Sequence, residues 1–137
     1  MTERGTIRNR ESAAQIRDFS GLRWGTITPT DIDGAVEFQD KAYVLFELKY
    51  GESTVPYGQR LAIERMCRDL HKAGKPVLGM IARHNTNPSD DIRAADADVV
   101  EVWVDWGSGP VQWRRPNKQL TVKEAIDIFL KNYGIVC

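Results

Sequence analysis

The chain has 137 residues, 42% hydrophobic and 28% charged, with 19 basic against 19 acidic side chains. That length suits one domain able to bury a sizeable core. Zero net charge excludes a global field that would draw the molecule onto nucleic acid or a membrane, so any nucleic-acid contact must be a local, salt-sensitive patch. The two cysteines, Cys67 and Cys137, form no CxxC pair, which argues against a cysteine-built zinc or iron–sulfur centre. No apolar run approaches 18 residues and the first 20 are polar. These features predict neither a membrane span nor a signal peptide, and a cytoplasmic location.

In chain order, residues 10–19 predict a short helix with Ala13, Ile16 and Phe19 inward. Strands are expected over 31–38 and 42–50, joined by a turn at Gln39-Asp40-Lys41. A Gly/Ser/Pro-containing loop, 51–58, leads to a helix over 58–73, with Leu61, Ile63, Met66, Cys67 and Leu70 on its apolar face. The apolar run 76–83 reads as a buried strand parallel to its neighbour, and 97–106 as another. A turn at 107–110 and a short edge strand at 111–114 follow. Thr121 and Glu124 form a capping box ahead of Val122, Ala125, Ile126, Phe129 and Leu130, which share a helical stripe. The order α-β-β-α-β-β-α predicts a single α/β domain over 1–137. Its expected architecture is a central mixed sheet of four to five strands flanked by helices.

Residues 42–48 are apolar except Glu47, and Lys49 follows on the same face. Asp31 and Asp33 begin the preceding strand, and a hairpin turning at 39–41 brings Asp33 opposite residue 47. Two carboxylates with one lysine beside them make a cup for a hard divalent cation, which takes oxygen ligands and a substrate phosphate. A lysine there can orient the attacking water and stabilise charge growing on the phosphate. The residue types therefore suit metal-assisted phosphodiester cleavage. The competing reading is a solvated cross-strand ion pair. Against it, charge at the end of so apolar a strand is costly.

PTDIDG, an apolar strand ending in ELK, and a helix opening YGQ together resemble the PD-(D/E)xK nuclease superfamily, which includes restriction endonucleases, Holliday junction resolvases and RecB-type nucleases. The resemblance covers most of the chain, and small phage-type members look most similar. It implies a restriction-endonuclease-like core and a Mg²⁺- or Mn²⁺-dependent endonuclease in which a metal-activated water hydrolyses DNA phosphodiester bonds. It places the family's aspartate on Asp33, with Asp31 as its rival and a further candidate ligand. Glu47 becomes the second metal ligand, the Leu48 carbonyl a third, and Lys49 the catalytic lysine. Gln59 matches a supporting glutamine, though Ile63 stands where RecB-type members carry tyrosine. Glu11 matches an accessory acidic position. DNA is the implied partner, a homodimer would supply two sites for a duplex, and a phage-encoded chain would work in the host cytoplasm.

Tyr57, Arg60, His84, Arg114 and Arg115 are candidate nucleic-acid contacts, with Lys118 extending the last two. Arg65 and Arg68 read as the wet face of their helix, and Trp103, Trp106 and Trp113 as core or contact aromatics. A nuclease-fold DNA-binding or accessory protein with little activity is the alternative from another class. A glycoside hydrolase built on two carboxylates would leave Lys49 without a task.

Overall fold

The computed structural model describes residues 18–30 and 32–137. The chain divides into two units, residues 1–30 and 31–137. In the first, Trp24 and Ile27 exchange backbone hydrogen bonds of 2.9 and 3.0 Å around a tight turn, in which Gly25 takes φ +65°. The helix expected over 10–19 lies, through residue 17, outside the described residues, as do Glu11 and Asp31. Asp18 and Phe19 are not helical, and Phe19, expected inward, is exposed.

Among the described residues the second unit carries five strands and two α-helices. The strands are β1 (Gly34–Glu37), β2 (Tyr43–Tyr50), β3 (Val77–His84), β4 (Asp98–Trp103) and β5 (Trp113–Arg114). The helices are α1 (Tyr57–Lys72) and α2 (Val122–Asn132), and one 3-10 turn spans Ala94–Asp96. The strands lie side by side in sequence order. β2 and β3 are parallel and the other pairs antiparallel, so this is an α/β fold on a mixed sheet. Among the described residues no helix is long and apolar enough to cross a membrane.

Local chemistry accounts for these elements. Gln39 and Asp40 both take positive φ, +53° and +63°, the pair of angles of a type I′ turn, which Lys41 N–H closes by donating to the Phe38 carbonyl at 2.9 Å. The left-handed conformation is unfavourable for Gln39. The Glu37 carboxylate offsets it by accepting from both turn N–H groups, at 2.9 and 2.7 Å. β3 occupies the middle of the sheet with helices on both faces, so its first six residues, VLGMIA, are all buried. The Thr121–Glu124 capping box starts α2 as the sequence predicts.

Each helix covers one face of the sheet. Val44, Leu78, Met80, Ala82, Val99 and Val104 pack with Val122, Ala125 and Phe129 of α2. Leu45, Val77 and Trp103 pack on the other face with Ile63 and Cys67 of α1. Gly79 sets the closeness of α1, since a Cβ there would come 2.9 Å from the Cys67 sulfur. Burial pushes the Cys67 thiol up to about 12, which makes it a core group rather than a nucleophile.

Candidate functional site

Glu47 lies on the α1-covered face, in the row Leu45, Glu47 and Lys49. It is only 7% exposed, and it is the one charged side chain buried to that degree among the described residues. Glu47 and Lys49 come near the carboxyl end of the parallel pair β2–β3. Ligand sites of α/β sheets gather at that end.

Asp33 reaches the same place from the neighbouring strand. β1 pairs Gly34 with Phe46, so Asp33 is next along, level with Glu47. Regular pairing stops there: the predicted strand over 31–38 begins only at Gly34, and the chain bends at Asp33. The Asp33 side chain takes over from the ladder, its Oδ2 accepting from Leu48 N–H at 2.7 Å. Without it, that N–H, past the end of β1, would lose its strand-edge acceptor. Alternate residues of a strand direct their backbone groups to alternate edges, and one residue's N–H and C=O share an edge. The Leu48 carbonyl therefore lies on the β1 edge beside Asp33. Gly34 keeps the approach tight, because a Cβ there would overlap the Phe46 ring.

Two carboxylates and a strand-edge carbonyl make an all-oxygen donor set. Such a set fits Mg²⁺ or Mn²⁺, which use one or two carboxylates and leave further positions to water and phosphate. Among the described residues no group of three or more His, Cys, Asp or Glu comes together, as a closed protein cage would require. Lys49 follows Glu47 on its face, half-exposed and level with Arg83 of β3.

The first turn of α1 stands over this face. Gln59 is half-buried and shares the helix side of the fully buried Ile63. Arg60 makes a two-pronged ion pair with Glu101 of β4: Nη1 donates to Oε2, and Nη2 to Oε1 at 2.8 Å. Its guanidinium sits 5.0 Å over the Trp113 ring. The Arg60 hydrogen bonds hold the Glu101 carboxyl below the usual carboxylate range, helped by the charges of Arg115 and Lys49. A β-bulge puts Glu101 there. Ile81 pairs with Glu101 but Ala82 with Val99, so Val100 is one residue too many. The bulge turns Val99 toward α2 and Glu101 toward α1, in one row with Ile81 and Glu47. Glu101 stands about 10 Å from Glu47, two strand spacings away. Sequence reasoning missed Glu101. Its signal was a lone acid inside the apolar run VVEVW.

The remaining candidates are scattered around this centre. Tyr57 opens α1 at 74% exposure. His84 ends β3, edge-on to Tyr50 at 5.6 Å, and its Nδ1 accepts from Thr86 N–H at 3.2 Å. With Arg83, Asn85 and Arg93 it lines a polar cavity of about 360 Å³, and Arg83 pairs with Glu52 at 2.7 Å. Arg114 and Arg115 are exposed on and just after β5. A larger cavity, about 570 Å³, lies at the other end of β4 around Asp105, Trp106 and Tyr133. No family model, curated protein or solved structure matches this chain.

Proposed function

We propose that the chain is a Mg²⁺- or Mn²⁺-dependent endonuclease that hydrolyses DNA phosphodiester bonds on a restriction-endonuclease-like core. One observation carries this reading. A buried Glu47 and an Asp33 carboxylate anchored on Leu48 N–H lie level on adjacent strands, with Lys49 next on Glu47's face. Asp33, Glu47 and the Leu48 carbonyl would hold the ion, with Asp31 as a further ligand candidate. A divalent cation held there would lower the pKa of a bound water and offset charge on the scissile phosphate. Lys49 donates to the attacking water and to the phosphate oxygens as their charge grows. Gln59 keeps the carboxylates in orientation. Tyr57 and His84 meet the DNA backbone on either side, whereas Arg60 is committed to Glu101 and shapes the floor of the site instead of gripping phosphate.

One feature favours the competing reading of a DNA-binding or accessory protein. Asp33 already has a structural task in closing the strand edge. The two tasks separate by substitution. Asn at position 33 keeps an acceptor for Leu48 N–H and loses the charge, so Asp33→Asn should fold as the wild type and lose cleavage. The assay is cleavage of labelled duplex, nicked, branched and single-stranded DNA and RNA with Mg²⁺, Mn²⁺ or EDTA. Cutting of at least one DNA is expected with metal only, reduced about 100-fold or more in Lys49→Ala. Cutting that persists in EDTA refutes the metal mechanism. DNA binding without cutting in any metal establishes the accessory reading.

A further inference from the structure

Trp106 is 45% exposed, yet its ring is built into place. It leans on Tyr133, with centroids 6.3 Å apart and planes tilted by 31°. Tyr133 is held twice, by its hydroxyl donating to the Asp105 carbonyl and by its ring packing 5.3 Å from Phe129. Phe129 is fully buried. A surface tryptophan with an aromatic backstop tied into the core loses little entropy when something stacks on its outer side.

Trp106 also borders three adjoining cavities. The first, about 570 Å³, includes Asn132 and Tyr133. The second, about 240 Å³, includes Arg114, Arg115 and Asn117. The third, about 490 Å³, includes Lys118 and Leu120. Three cations and two side-chain amides thus surround one exposed ring. The adjacent Asp105 borders the first two cavities, but its two oxygens are taken up by His71 Nε2 at 2.8 Å and Gly107 N–H at 2.7 Å. An aromatic face gives a nucleobase a stacking platform, amides answer its polar edge, and cations track its phosphates.

We propose that Trp106 is the shelf of a second nucleic-acid site, which stacks an unpaired base of single-stranded DNA while Arg114, Arg115 and Lys118 take the flanking phosphates. The proposal rests on the nuclease reading for its choice of DNA, and it deepens that reading by naming the substrate class: DNA with an unpaired segment. A base inside a duplex is covered on both faces and cannot stack on the shelf. The shelf lies past the Trp103 end of β4, which pairs with Gly79 toward the amino end of β3, so only a substrate long enough to run the length of the sheet meets both sites.

The test is fluorescence anisotropy of a fluorescein-labelled oligothymidylate, and of a blunt duplex of equal length, with the full chain in EDTA. The oligothymidylate should bind more tightly than the duplex. Trp106→Leu, apolar but without a π face, should weaken that binding about ten-fold, and Trp106→Phe should restore most of it. Arg114→Gln should lower the salt slope by about one. Unchanged unfolding midpoints in Trp106→Phe and Arg114→Gln keep the test readable should Trp106→Leu fold poorly. Wild-type preference for the duplex, or a Trp106→Phe loss as large as that of Trp106→Leu, overturns the shelf. Unchanged binding in Trp106→Leu does so while leaving metal-dependent cleavage standing. A stacking loss in a chain that never cleaves sustains the shelf and removes the nuclease.

Discussion

The two faces of the sheet are built from the same strands and differ in what they bury. Under α2, Val44, Leu78, Met80, Ala82 and Phe129 form an uninterrupted apolar layer. Under α1 the layer is apolar only toward the amino ends of β2 and β3, where Leu45, Val77, Cys67 and Trp103 meet. Toward their carboxyl ends it carries Glu47 and the Arg60–Glu101 pair. Charge under a helix opposes stability unless it is paired or used. On the proposed function, the α2 side holds the fold and the open end of the α1 side does the chemistry.

The largest expected effect breaks the apolar face. Phe129→Ala should cost about 3–5 kcal/mol by denaturant unfolding, because the ring is fully buried. The charged face should respond chiefly in cleavage. Glu47→Gln should lower cleavage by about 100-fold or more at a smaller cost in stability than Phe129→Ala, since the amide keeps the side chain's volume and one acceptor oxygen. A large loss of stability in Glu47→Gln would make that carboxylate structural and erase the contrast. Gly34→Ala acts between the two faces. Its new methyl overlaps the Phe46 ring, and the expected cost is about 1–3 kcal/mol with a matching displacement of Asp33, visible as weakened metal binding.

The smallest effect is expected at the ion pair. Arg60 depresses the Glu101 carboxyl, so the pair stabilises fully above the ordinary glutamate value, about 4.3, and fades as pH falls through the lower folded value. Arg60→Gln should therefore cost about 1 kcal/mol near neutrality, and the gap from wild type should narrow as pH falls below the ordinary glutamate value. A gap that does not narrow in acid would assign the loss to packing on Trp113 instead of charge.

Local signals carried much of the fold in the sequence. The hairpin turn, the buried parallel strand, the α1 stripe and the α2 capping box all depend on near neighbours along the chain. So did the level placement of Asp33 and Glu47, which follows from the three-residue turn Gln39-Asp40-Lys41 and period-two alternation. The rest depended on long-range pairing. β1 starts at Gly34, and not at residue 31, because the Asp33 carboxylate replaces the next ladder bond to Leu48. Glu101 reaches the α1 face only through a bulge defined by the register of β3 against β4. Arg60, read as a phosphate contact, is paired across 41 residues. β4 ends at Trp103, short of the predicted 106, where the following Asp105 turns to His71 and the Gly107 N–H.

The central claim is that Asp33 and Glu47 jointly hold a divalent cation. Calorimetric titration of Mn²⁺ into the wild type, Asp33→Asn and Glu47→Gln tests it directly. Saturable binding in the wild type, lost in both folded variants, is the expected result. A wild type that binds no metal, or either variant binding as tightly as the wild type, would contradict it.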